Sequence, residues 1–210
     1  MAKARRNRSG EATAGGILHM AALIVRTEGA DALTFDRLAE RAGLSKGAVL
    51  YHFPSKDALL ARLVEEYVQA VEGEIDRHRR QDGDRGAWIR GYLRACFPGA
   101  GGAAREANEL SAALTAAAAA NPPLLDAYRR RQPAWGAAMT ADGSDPALTL
   151  LLRLALDGLW YNELLGIETA GPEERAALLR LVENLSRRGG DAPGSGGPGE
   201  DSGAVRAKIG

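Results

Sequence analysis

The residues able to do covalent chemistry are few and far apart. One cysteine (Cys96) and three histidines (His19, His52 and His78) share no spacing that could hold a metal. No nucleophile motif and no glycine-rich phosphate loop accompanies them, so no metal, no organic cofactor and no enzyme is expected. A lone cysteine forms no internal disulfide, which points to a reducing compartment or a protein that needs no bridges, and the localisation expected is cytoplasmic. What remains is recognition by non-covalent contact, and one short stretch concentrates the means for it. Gly43-Leu44-Ser45 joins two segments of about two helical turns each, the length and spacing of a helix-turn-helix. In that unit the first helix braces on a phosphate backbone, and the second, short and polar on one side, enters the major groove. Val49 and Phe53, four apart, anchor the inner face of the second segment, and Lys46, Gly47, Leu50 and Tyr51 point away from it.

The elements that must position this stretch read as helices. Periodicity is helical rather than alternating along nearly the whole chain, and 40 of the 210 residues are alanine, so the fold expected is all-α. A first helix runs from about Glu11 to Glu28 and stops at Gly29, which takes a left-handed cap without steric cost. Thr34 caps a second helix with Phe35, Leu38, Ala39 and Ala42 on one face, ended by Gly43. Ser45 caps the third. Pro54 breaks the chain, and Ser55 caps a long fourth helix. Farther on, Asn121-Pro122 and Asp145-Pro146 each set a capping side chain before a proline, and Pro133 should kink or split the helix between them.

Residues 34–60, TFDRLAERAGLSKGAVLYHFPSKDALL, resemble the DNA-binding domain of the tetracycline-repressor (TetR) family of bacterial transcription regulators. The likeness spans about Glu11 to Leu63 and rests on Thr34, Leu38-Ala39, Ala42-Gly43, Ser45-Lys46-Gly47, His52-Phe53-Pro54-Ser55-Lys56 and Leu59. Past residue 65 it is a likeness of architecture, a helical bundle of suitable length. The resemblance implies a homodimer that binds a palindromic double-stranded operator, usually as a repressor released by a small-molecule effector. It also implies roles. Thr34 would offer its hydroxyl and amide to a phosphate, Ser45, Lys46, Gly47 and Ala48 would open the recognition helix, and Lys56 would clamp a phosphate. Tyr51 and His52 would reach phosphate, sugar or a base edge. Ala48 and Leu50 depart from the commonest family pattern, which has a small polar residue and a tyrosine there, so polar base readout from those two positions is lost.

The organisation expected is a basic flexible arm over 1–10, a three-helix DNA-binding domain over 11–54, a helical ligand-binding and dimerisation domain over 55–188, and a disordered Gly-rich tail over 189–210. The segment 146–165 is apolar on more faces than one core needs. Leu148, Leu151, Leu152, Ala155 and Leu159, with Leu178, Leu181, Val182 and Leu185 of the last helix, form the expected dimer interface. The helices that would enclose a ligand carry Trp88, Tyr92, Cys96, Phe97, Leu114, Trp135, Met139, Trp160, Tyr161 and Asn162, with Leu110 and Tyr128 beside them. Whether they surround a roomy cavity or pack tightly, composition leaves open.

Charge argues more by its distribution than by its sum. The chain carries 27 basic and 27 acidic groups, which by itself gives no reason to suspect nucleic acid. Residues 1–57, however, hold nine basic and six acidic groups, and Lys3, Arg5, Arg6 and Arg8 come ahead of the helix-turn-helix. No stretch reaches the roughly 18 uncharged apolar residues of a membrane span. The alternative is a helical ligand-binding or protein-interaction module without sequence-specific DNA binding.

Overall fold

The structure, a computed structural model, describes residues 2–97 and 102–187, with backbone alone for 2–12, 102–106 and 108. The tail expected over 189–210 lies outside the described residues. The helices in chain order are α1 (Ala2–Glu28), α2 (Phe35–Ala42), α3 (Lys46–His52), α4 (Lys56–Asp82), α5 (Ala87–Cys96), α6 (Gly102–Ala120), α7 (Asp126–Ala141), α8 (Pro146–Leu164) and α9 (Pro172–Arg187). Single 3-10 turns lie at Ala30–Ala32 and Pro122–Leu125, and among the described residues there is no strand.

Local chemistry explains where the helices start and stop. The amides of Arg37, Ala48, Ala58 and Leu148 donate to the side chains of Thr34, Ser45, Ser55 and Asp145, so α2, α3, α4 and α8 each begin on a capping side chain. Gly43, at φ 65°, closes α2 in the left-handed region. Three expectations change. The first helix begins at Ala2 rather than near Glu11, because the alanine, lysine and arginine ahead of it are good helix formers. The basic arm expected over 1–10 thus falls, from Ala2 on, on helical backbone, and its side chains lie outside the described residues. Asn121 makes no side-chain cap; the two prolines after it open a 3-10 turn before α7. Pro133 neither ends nor splits α7, since the Arg129 carbonyl that it leaves without a donor lies on the exposed side.

Two packed units share α4. The first gathers Ile17, Ala21, Ile24 and Val25 of α1 with Leu38 of α2, Val49 of α3 and Phe53. Buried residues Leu59, Leu60, Leu63, Val64, Val68 and Ile75 then continue as one stripe along α4 into the second unit. There α4 packs on α5 with almost nothing between the backbones, for a Cβ added at Gly91 would stand 2.9 Å from the Ile75 carbonyl oxygen. Helix α6 leans back on α1, giving the second unit another contact with the first.

A buried arginine closes the far end. Arg90 donates to Asp82 (2.6 Å), to the Arg85 carbonyl (2.9 Å) and to Ser186 Oγ (3.1 Å), tying α4, α5 and α9 together. The hydrogen bond from Arg90 holds the Asp82 carboxyl below the usual carboxylate range.

Candidate nucleic-acid interface and internal cavity

Helix α3 is a short rod with one greased side. Val49 is fully buried and Phe53, its C-cap, nearly so, which fixes the rod against α1 and α2. The opposite side is open: Tyr51 is 86% exposed and Leu50 38%, and Lys46 and Gly47 face solvent. The His52 ring meets Tyr51 edge-on at 5.3 Å, so the two form one aromatic edge at the end of α3. Ala48 is half-buried against the turn. A Cβ added at Gly47 would meet only Ser45 Oγ, at 4.0 Å. Nothing within the protein therefore demands a glycine there, and the space it leaves faces outward.

The charges around this face are not all free. Lys46 Nζ pairs with Asp36 Oδ2 at 2.9 Å, both exposed. Arg37 and Arg41 of α2 both pair with Glu28 at the end of α1. Lys56 Nζ reaches the Asp31 carbonyl at 3.5 Å, fastening the start of α4 to the 3-10 turn. Thr34 and Ser45 use their hydroxyl oxygens as caps and keep their protons to donate. Asp36 and Glu28 were missed by sequence reasoning. Their partners, nine to thirteen residues away, carry no local signal.

A cavity of about 100 Å³ lies inside the second unit, between α4, α5, α6, α7 and α8. Six of the expected residues line it: Tyr92, Cys96, Leu114, Trp135, Trp160 and Tyr161, and so does Tyr128. Four do not. Trp88 stacks behind Tyr92 at 5.4 Å in the core, and Met139 is buried there too. Phe97 caps α5 under the Arg175 guanidinium, and the Asn162 side chain turns back to donate to the Gly158 carbonyl. Residues not expected complete the wall: Val64, Tyr67, Val68 and Val71 from α4, Ser111 and Thr115 from α6, Leu125, and Asp157 from α8. The α4 contribution is the important omission, because it makes the helix leaving the reading head a wall of the cavity. Its signal was the continuation of the i, i+4 stripe past Leu63.

Polar groups gather at one corner. Asp157 accepts a short hydrogen bond from the Tyr92 hydroxyl, and its other oxygen stands 3.8 Å from Arg153 Nε. Arg153, buried behind the wall, donates to Gln132 (2.8 Å) and Tyr128 (3.3 Å) and faces the rings of Tyr92 and Trp135. Burial pushes the Tyr67 hydroxyl up to about 12 and the Cys96 thiol up to about 12, so both stay protonated near neutrality. Cys96 is accordingly a neutral wall group rather than a nucleophile.

The expected dimer surface divides in two. Leu152, Leu159 and Val182 are buried within the protomer and leave the interface; α8 is apolar all round because its inner face, with Thr149 and Leu156, fills the chain's own core. Leu151 and Leu181 are 63% and 52% exposed, and Leu148, Ala155, Leu178 and Leu185 lie half-buried at the border. Leu150, Leu154, Tyr161 and Leu165 extend the exposed stripe along α8. No helix among the described residues is long and apolar enough to cross a membrane.

Known proteins match both units. Residues 17–63 match the family described as bacterial regulatory proteins, tetR family, and residues 86–187 the family described as tetracyclin repressor-like, C-terminal domain. The chain is 34% identical over 174 residues to the HTH-type transcriptional repressor Rv1474c of Mycobacterium tuberculosis, covering 76% of this chain and 85% of that one. It is 30% identical over 71 residues to the nucleoid occlusion factor SlmA of Actinobacillus pleuropneumoniae, covering 34% of this chain and 35% of that one. In three dimensions it is similar to the transcriptional regulator SCO7518 of Streptomyces coelicolor, with TM-score 0.66, 20% identity, and 84% and 99% of the two chains covered. It is also similar to the multidrug binding protein EbrR complexed with ethidium, with TM-score 0.61, 24% identity, and 82% and 97% covered. With both halves matched and a repressor relative aligned over most of its length, the chain belongs to the TetR family of DNA-binding transcription regulators, which are not enzymes.

Proposed function

We propose that this regulator works in the cytoplasm as a homodimeric repressor that binds a palindromic operator and is released by a small molecule held in the cavity. Tyr51 carries the DNA reading: an aromatic side chain 86% exposed, on a helix whose other side is locked by Val49 and Phe53. A large ring so placed touches only the edge of its neighbour His52 and sits where a groove or backbone would meet it. Thr34, Ser45, Lys46, Gly47, Ala48, Leu50, His52 and Lys56 surround it as the proposed contact set, from sugar-phosphate to base edge. Two such helices in a dimer would enter successive major grooves about 34–36 Å apart.

The exposed stripe of α8 and α9 supports dimerisation, since apolar side chains in register on two neighbouring helices favour burial against a second copy. The cavity supports the effector, as does the likeness to a protein solved with ethidium. An effector acts here only through unequal affinity for the DNA-binding conformer and its alternative. A gel shift against the DNA upstream of the protein's own gene, run across a salt series, tests the reading. Sequence-specific binding that weakens steeply with salt is expected. A protein that shifts no DNA at low salt is instead a ligand-binding or interaction module.

A further inference from the structure

Asp157 is the single charged residue among those lining the cavity. A carboxylate in an aromatic wall invites a cationic ligand, but its charge is already matched. Arg153 stands 3.8 Å behind it, itself nearly buried, so the pair presents no net charge to the interior. A cation would have to give up its hydration for a site that is neutral overall, and an anion would face the carboxylate directly. An uncharged molecule meets neither penalty.

The hydrogen-bonding pattern points the same way. Asp157 Oδ1 accepts from Tyr92, while Oδ2 lies beyond hydrogen-bond reach of Arg153 and accepts from no described residue. Tyr128 accepts from Arg153 Nη2, which leaves its own hydroxyl proton to give. One vacant acceptor and one vacant donor thus belong to wall residues on either side of the Arg153 guanidinium. A hydroxyl, which donates once and accepts, fits both. Apart from the small groups Cys96, Ser111 and Thr115, the rest of the wall is aromatic or aliphatic, and a space of about 100 Å³ has room for one ring.

Building on the effector reading, we propose that the cavity takes a small uncharged aromatic alcohol or phenol, its ring among Tyr67, Tyr128, Trp135 and Trp160 and its hydroxyl between Asp157 Oδ2 and the Tyr128 hydroxyl. Charge matching by Arg153 sets this class apart from cations of similar shape.

The test uses the full chain at neutral pH and three probes of nearly equal shape: benzyl alcohol, benzylammonium and benzoate, with affinities from ligand-observed NMR. Benzyl alcohol is expected to bind at least about tenfold more tightly than either ion. Equal or tighter binding of either ion overturns the proposal, as does undetectable binding of the alcohol at about 10 mM. Tyr128→Phe is expected to weaken benzyl alcohol about tenfold and leave toluene unchanged. An equal loss for both probes would mean that the hydroxyl acts on the fold rather than on the ligand, and overturns the assignment. Asp157→Asn leaves Arg153 unmatched and is expected to move the preference to benzoate; an unaltered order overturns the charge argument. A gel shift on the same preparation separates the two readings. DNA binding without alcohol binding overturns the ligand class alone, whereas alcohol binding without DNA binding supports the class and overturns the regulator.

Discussion

Lys46 Nζ lies 2.9 Å from Asp36 Oδ2, so the first residue of the recognition helix is ion-paired to the first turn of the helix before it. The pair is exposed, with 53% and 76% of the two side chains accessible, and contributes little to stability. Its effect is expected on DNA binding, where Lys46 belongs to the proposed contact set. A phosphate that takes Lys46 must displace Asp36, and the carboxylate then stands close to the backbone charge. Asp36→Asn is expected to raise affinity for random-sequence duplex several-fold at low salt while leaving the melting temperature nearly unchanged. Lys46→Ala should weaken all duplexes and reduce the salt slope by about one per subunit. Fluorescence anisotropy across a salt series checks both, and equal random-duplex affinity of Asp36→Asn and wild type would refute the competition.

Gly47 separates packing from recognition. An added methyl finds open space in the protein, and alanine is a better helix residue than glycine by about 0.5–1 kcal/mol. Gly47→Ala should therefore melt no lower than wild type yet bind operator at least tenfold more weakly, a loss of about 1.4 kcal/mol or more. Unchanged operator affinity would show that no DNA group comes close to this backbone.

The exposed stripe makes a prediction that the buried residues beside it do not share. Leu151→Glu combined with Leu181→Glu places charge at positions 63% and 52% exposed, and should yield a folded monomer in sedimentation. Leu152→Ala, at a position 4% exposed, should instead cost about 2–4 kcal/mol of protomer stability. A dimer that survives the double substitution would mean that another face mediates association.

The Asp82–Arg90 pair predicts a pH dependence. The folded carboxyl is held below its ordinary value of 3.8 by the Arg90 hydrogen bond. Its contribution is therefore full above that value and is lost as pH falls through the lower folded one. Asp82→Asn leaves Arg90, 1% exposed, without its charged partner and should cost about 3–5 kcal/mol near neutrality. The deficit should shrink as wild type is acidified below about pH 4. Urea melts at several pH values read this directly; a deficit constant with pH would remove the ion pair from the explanation.

Features governed by neighbours along the chain were legible before any coordinates. Thr34, Ser45, Ser55 and Asp145 announce helix starts, and the matched string from Thr34 to Leu60 carries the reading head. Features governed by distant packing were not. Nothing local distinguishes Leu152, which faces the core, from Leu151, which faces out, because α8 is apolar on both sides. Tyr67 and Asp157 line a cavity with residues far from them in sequence, and Asp36 meets Lys46 only because the turn at Gly43 folds α3 back on α2. Of the residues expected around a ligand, Trp88 and Met139 lie in the core instead, and Tyr67 joins the cavity wall.

The backbone contact of Gly91 with Ile75 gives α4 a fixed point. With no side chain between the helices to yield, α4 cannot slide there, whereas Val64, Tyr67, Val68 and Val71 border empty space. From Ile75 back to Lys56 the helix spans about 28 Å at its rise per residue. It is thus a lever with its fulcrum at Ile75, the cavity along its shaft and the reading head at its tip. A tilt of about 5° about that fulcrum carries Lys56 through roughly 2.5 Å, so a shift at the cavity wall is enlarged on the way to the tip. In the homodimer proposed above, two such levers would double the change in separation between the recognition helices.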